Sequence, residues 1–173
     1  MPMDRVAVLI GQNGKTIEYL EKKTKVPVSV DSETGEVVID NHETEDPFTV
    51  FKVENIIRAI GRGFSPKISF KLLDDSYDFF IFDIHDYVKK KSSHVHRVKG
   101  RIIGTKGKTK RNLEHLTGAY ISVYGHTVAV IGDIVDLDIT KKAIDKLLQG
   151  NKHATVYHFV EQSMKELRLH QGF

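Results

Sequence analysis

Residues 9–30 read LIGQNGKTIEYLEKKTKVPVSV, and residues 102–123 read IIGTKGKTKRNLEHLTGAYISV. Aligned from Gly11 and Gly104, the two phrases share nine of twenty positions: both glycines, the Lys-Thr pair, a Leu-Glu, a Thr and a final Ser-Val. A match of that density 93 residues apart is an internal duplication, and it implies two copies of one structural unit.

Each copy carries the same order of local signals. From Asp4, DRVAVLI reads as a short helix broken by Gly11 and Gly14; Ile17 and Leu20 resume the helical spacing to about Lys23. VPVSV and EVVID then alternate as two strands joined by a turn. A further helix places Phe48, Phe51, Ile56 and Ile60 on one stripe and stops at Gly61 and Gly63. The second copy repeats helix, glycine turn, helix, hairpin, helix from His96 to Gly150, and YDFFIFDI supplies a strand ahead of it. HDYVKKKSSHVH reads as a loop or a separate helical turn. Ser65 and Pro66 read as the cap and first position of a short connecting helix. The organisation expected is a first unit over residues 1–63, a helical linker over 64–77, a second unit over 78–150 and a C-terminal helix over 151–173.

The chain has 173 residues, 40% of them hydrophobic, enough for two small α+β cores. It contains no cysteine, which excludes disulfides and thiolate metal sites. With no signal-peptide pattern and no apolar run of membrane-spanning length, a soluble, cytoplasmic monomer without membrane contact is expected. A net charge of +3 leans only slightly toward a polyanionic partner, so local charge has to decide.

Two short motifs suggest enzymes and fail on spacing. GKT occurs at Gly14–Thr16 and Gly107–Thr109, but a nucleotide-binding P-loop needs four residues between its glycines and these have two. Each is also preceded by a helix where a P-loop follows a strand. Nine histidines, among them His94 and His96, show no regular ligand spacing, and Asp74, Asp75, Asp78 and Asp83 read as strand-edge and turn acids. No nucleophile, base and orienter come together, so no enzyme, cofactor or metal is expected.

The spacing that fits is Ile-Gly-x-x-Gly between two helices. Its glycines let the backbone turn sharply and approach a phosphodiester chain, and the amides opening the next helix face negative charge. On these residues, LIGQNGKTI and IIGTKGKTK, the chain resembles the KH-domain family, and the element order is that of the type I, or eukaryotic, form. KGRIIGTKGKTKRNLEHLTG with VAVIG, a long helix and HATVYHFVE is similar to the partner-of-Nob family of small-subunit ribosome-assembly factors. That resemblance implies an α+β chain of two tandem type I KH domains, each with a three-stranded antiparallel sheet packed against helices, plus a C-terminal helix. It implies single-stranded RNA as partner, specifically the 3′ region of small-subunit ribosomal RNA, with a processing nuclease or a translation-initiation factor as further partners. Eukaryotic members degrade the first GxxG, so two intact motifs point to an archaeal-type member. The strand that should precede DRVAVLI has only Met1 to Met3 available, so the first sheet is expected either to lack it or to have lost it with a truncated start.

In the KH arrangement the loop clamps the backbone of about four nucleotides. The second-copy residues assigned to it are Arg101, Ile103, Gly104, Thr105, Lys106, Gly107, Lys108, Lys110 and Arg111, with Ile121 and Val123 as the opposite wall. The first-copy set is Ile10, Gly11, Gln12, Asn13, Gly14, Lys15 and Ile17. Charge separates the copies: Lys99 to Arg111 holds six cations and no acid, whereas Val6 to Glu18 holds one Lys and one Glu. The second loop is therefore expected to be the stronger grip. A general RNA-binding factor of translation initiation or RNA decay, and a protein-interaction scaffold with degenerate KH folds, are the other readings.

Overall fold

Gly11 ends the first helix because its backbone, at φ 74°, lies in the region open to glycine, and its amide closes on the Ala7 carbonyl at 2.9 Å. The computed structural model describes residues 1–42, 44, 46–88 and 90–172. Lys89, in the stretch read as a loop, and Phe173 lie outside the described residues. The chain divides into two compact units, Met1–Asp75 and Ser76–Phe173.

In the first unit, α1 (Met3–Ile10) is followed by a 3-10 turn and α2 (Lys15–Thr24). Strands β1 (Val28–Val30) and β2 (Val37–Ile39) pair antiparallel, with Val28 opposite Ile39 and Val30 opposite Val37. Asp46 opens α3 (Pro47–Gly61): its carboxylate accepts the Phe48 amide, and Pro47 takes the first helical position. Ser65 and Pro66 likewise begin α4 (Pro66–Ser69), which runs on as a 3-10 turn to Leu73.

Three expectations need correction in this unit. Among the described residues its sheet has two strands, not three, and the strand expected ahead of α1 is not among them. The expected linker is folded onto the unit as far as Asp75: Phe64 and Leu72 are buried, Tyr19 packs on Phe70, and Arg5 donates to the carbonyls of Ile60 and Phe64 at 2.8 and 2.6 Å. On α3 the buried stripe is Val53, Ile56, Ile57 and Ile60, facing Val6, Leu9 and Leu20. Phe48 and Phe51, assigned to that stripe by spacing, are 78% and 56% exposed because they precede the part of α3 that crosses the core.

The second unit is built on a three-stranded antiparallel sheet in the order β3 (Tyr77–Asp83), β5 (Thr127–Asp133), β4 (Tyr120–Tyr124). Central β5 is buried from Thr127 to Gly132, as a strand flanked on both edges and covered by helices must be. Helix α5 (Ser92–Ile103) starts well before His96, so HVH is helical and the loop preceding it is shorter than expected. Then come α6 (Lys108–Thr117), α7 (Ile134–Leu148) capped by Asp133, and α8 (His153–His170). Helix α8 buries Val156, Val160 and Met164 against α6 and α7, in the same core as Ile102, Leu113, Val130 and Ile144. Met164 extends the apolar face one turn beyond Val160. No described helix is long and apolar enough to cross a membrane.

Candidate nucleic-acid interface

The two GxxG loops have one backbone conformation. Gly11 and Gly104 lie at φ/ψ 74°/172° and 75°/173°; Asn13 and Lys106 are left-handed at 54°/34° and 51°/30°; Gly14 and Gly107 follow at 75°/5° and 75°/15°. The first glycine is required by space as well as by φ. A Cβ on Gly104 would fall 2.7 Å from the Thr109 nitrogen, and one on Gly11 would fall 2.9 Å from the Thr16 nitrogen. The loop thus folds flat against the start of the next helix. The first amides of α2 and α6, those of Lys15 and Lys108, donate to the Gln12 and Thr105 carbonyls, and neither helix start has a side-chain cap.

The remaining shared letters brace the loops from behind. Thr24 Oγ1 donates to the Leu20 carbonyl and accepts the Val26 amide at 2.8 and 3.3 Å; Thr117 repeats this with Leu113 and Ala119 at 2.8 and 3.2 Å. Glu21 Oε1 accepts the Val28 amide at 2.7 Å, and Glu114 Oε1 accepts that of Ile121 at 2.8 Å. Leu20 and Leu113 are fully buried beneath them. The repeat therefore encodes a glycine turn, a helix and its tie to the following strand.

The cations divide by what they touch. Thr105, Lys106, Lys108 and Arg111 are exposed, and among the described residues Lys106, Lys108 and Arg111 have no ion-pair partner. A Cβ on Gly107 would sit 3.1 Å from Arg111 Nη1, so the bare glycine leaves room for that guanidinium beside the loop. Lys110 Nζ is instead 3.3 Å from Glu114 Oε1. Arg101 turns away from the loop: its Nη2 donates to the Asn151 carbonyl, its own carbonyl lies 2.9 Å from His153 Nε2, and its Nε is buried without a partner among the described residues. It ties α5 to the start of α8. In the first loop Gln12, Asn13, Lys15 and Glu18 are all exposed, so it presents one cation and one acid.

The apolar residues divide too. Ile103 and Val123 are half-buried, and Val123 packs on the edge of the core. Ile121, expected in the wall, is 2% exposed and belongs to the core, because it lies one strand repeat deeper on the same face as Val123. Ile10 and Ile17 are half-buried in the first unit. Since β4 is an edge strand and the Ile121 amide points away from β5 toward Glu114, alternation turns the Val123 amide and carbonyl outward as well.

The sequence reading missed a groove of about 740 Å³ along α5, lined by Lys90, Ser92, Val95, His96 and Lys99 and faced by His126 of the β4–β5 turn. The spacing Ser92, Val95, His96, Lys99 marks one helical face and could have revealed it. Lys99 lies about 7.5 Å along the helix axis from Gly104, at 1.5 Å per residue, so the groove ends between one and two helical turns from the loop.

A profile of the eukaryotic-type KH domain (KH-domain type I), in the form of the second KH domain of PNO1, matches residues 78–165. The match extends into α8, which the sequence reading had set apart from the domain. The chain is 41% identical over 168 residues to a KH domain-containing protein of Methanocaldococcus jannaschii, covering 97% of this chain and 74% of that one. It is 29% identical to the pre-rRNA-processing protein PNO1 of Eremothecium gossypii over 91% of its own length but only 60% of that relative's. Among solved structures, a chain in the crystal structure of the a/eIF2alpha–aDim2p–rRNA complex from Pyrococcus horikoshii OT3 superposes with a TM-score of 0.86 at 46% identity, covering 96% of this chain and 92% of that one. With its glycine turn, three-stranded sheet and these relatives, the chain belongs to the PNO1-type KH-domain family, an RNA-binding family that includes the archaeal Dim2 proteins.

Proposed function

We propose that this chain binds single-stranded RNA through the Gly104–Gly107 loop, that its target is the 3′ region of small-subunit ribosomal RNA during subunit maturation, and that its first unit is a second KH module with a lesser share of the grip. The observation that carries this reading is the turn itself: Lys106, Lys108 and Arg111, which have no ion-pair partner among the described residues, surround a helix start without a side-chain cap. Phosphates entering there meet fixed dipoles and mobile cations together. Bases laid toward β4 would meet Ile103, Val123 and the outward backbone of Val123, which suits single strands because unstacked bases expose both faces and edges. The pre-rRNA-processing relative and the rRNA-containing structure support ribosomal RNA as the target. The conformation shared by the Gly11–Gly14 loop supports the tandem reading.

A second partner has specific support: the similar chain from Pyrococcus horikoshii OT3 occurs in a complex with a/eIF2alpha, so an initiation-factor subunit is the protein partner to test alongside RNA.

The test is the double substitution Thr105→Asp/Lys106→Asp, assayed by filter binding to a short 3′ small-subunit rRNA across a salt series. Contact with four phosphates gives the wild type a log–log slope near −3, at about −0.7 per contact. The double variant should lose binding while keeping its thermal stability, since both positions are exposed and Asp tolerates the left-handed backbone at Lys106 better than Lys does. A flat salt response in the wild type favours the protein-interaction scaffold. Unchanged binding by the variant removes this loop as the clamp.

A further inference from the structure

The end of β3 and the β4–β5 turn bring together three ligating side chains outside the glycine loop. Asp83 closes β3, His85 sits in the 3-10 turn Ile84–Asp86, and His126 comes from the turn between β4 and β5. His85 Nδ1 lies 3.3 Å from Asp83 Oδ1, and His126 Nε2 lies 3.7 Å from Asp83 Oδ2. One ligand atom from each residue falls within 4.8 Å of the other two.

These separations suit a small metal ion. Nitrogen and oxygen ligands held about 2.0–2.1 Å from a tetrahedral zinc stand roughly 3.3–3.5 Å apart along each edge. The backbone holds the two segments in place: the Ile84 amide donates to the His126 carbonyl at 2.8 Å, and the His85 amide donates to Asp83 Oδ1 at 2.8 Å. The two imidazoles are stacked, with centroids 4.5 Å apart and planes 18° from parallel. Convergence on one ion requires the stacked rings to splay by side-chain rotation, and neither ring is enclosed, with side-chain exposures of 24% and 46%.

We propose that Asp83, His85 and His126 form a binding site for a zinc-class divalent ion. Two imidazoles and one carboxylate select this borderline class over magnesium, which prefers oxygen ligands. Both histidines also line the groove along α5, beside Lys90 and Lys99, so the remaining coordination position opens toward it. An ion there clamps the β4–β5 turn to β3 and offers that position to an oxygen ligand, water or phosphate.

The full chain, stripped with chelator and exchanged into clean buffer, is titrated with Zn²⁺ by calorimetry, with Co²⁺ by visible absorption, and with Mg²⁺ for selectivity. One Zn²⁺ per chain is expected, with a tetrahedral Co²⁺ spectrum and no competition from Mg²⁺. His85→Gln and His126→Gln should each weaken Zn²⁺ binding by more than the 10- to 100-fold typical of changes one shell out from a metal, about 100-fold or more. His170→Gln, on α8, should leave it unchanged. Circular dichroism checks folding, and two separate histidine variants keep the test valid should one fail to fold. No zinc binding by the wild type overturns the site, as does undiminished binding by both variants, which would assign the ion to other histidines. Because every probe is read without RNA, failure here is distinct from failure of the RNA reading.

Discussion

Glu114 Oε1 accepts the amide of Ile121 at 2.8 Å, joining α6 to the outer edge of β4 while also lying 3.3 Å from Lys110 Nζ. One carboxylate therefore both frames the groove and neutralises a cation beside the loop. Glu114→Gln keeps an oxygen for the amide and removes the charge. RNA binding should tighten, with the salt slope steeper by up to about 0.7 as Lys110 becomes available to a phosphate. Glu114→Ala leaves the edge amide without its acceptor and should lower stability by about 1–3 kcal/mol, measured by denaturant unfolding. Equal effects of the two variants on stability would show that the tie is dispensable.

The first unit carries a backbone penalty that the second avoids. Lys25, after α2, is left-handed at φ 60°, where Gly118 takes the same position after α6 at φ 73°. A residue with a Cβ in that region costs about 1–2 kcal/mol, partly offset by the freedom a glycine has in the unfolded chain. Lys25→Gly should stabilise the first unit by about 0.5–1 kcal/mol, seen as slower amide exchange in α2 or a higher Tm. The α2 cap bond from the Lys25 amide to the Glu21 carbonyl, 2.7 Å, should survive the change.

The parts legible from sequence are those settled within a few residues. Gly11, Gly104, Thr24, Thr117, Glu21 and Glu114 act on the turn or helix next to them, so their spacing carries their role. Arg101 could not be read this way: its letter is one of six cations in a run, but its partner is the carbonyl of Asn151, 50 residues on. Ile121 and Val123 share a strand face, and only the packing of helices over the sheet separates core from groove. Phe48 and Phe51 keep a helical period beyond the end of the core, where periodicity no longer means burial. Asp83, His85 and His126 form no motif because the third ligand arrives through a hairpin.

Alkaline pH should strain the second unit at Tyr87. Its hydroxyl donates to Asp145 Oδ1 at 2.6 Å, and burial, reinforced by that bond and the Asp145 charge, pushes its pKa up to about 12. Its ordinary value is 10.0, so between pH 10 and 12 the unfolded chain releases this proton and the folded chain keeps it. Stability from this group is complete below pH 10 and falls as pH rises to about 12. Tyr87→Phe should be less stable at neutral pH and should lose less stability across that window. Parallel unfolding curves for the two proteins at pH 9 and 11 check it, and an identical pH response would remove Tyr87 as the source.

The two loops share a conformation but differ in charge, so the contribution of charge to the grip can be measured on a common backbone. Aspartates at Thr105 and Lys106 remove one exposed cation and set two acids beside Lys108 and Arg111. Gln12→Asp/Asn13→Asp adds the same two acids where an exposed Lys15 is already offset by an exposed Glu18 and no cation is lost. At about 0.2–1 kcal/mol for each exposed charge contact, the second-loop variant should lose roughly 10- to 100-fold in affinity for a short ribosomal RNA and the first-loop variant about threefold. The salt slope should drop with the second pair and hold nearly constant with the first. Equal losses would mean that loop shape and helix-opening amides, which the copies have in common, dominate over the side-chain charges that distinguish them.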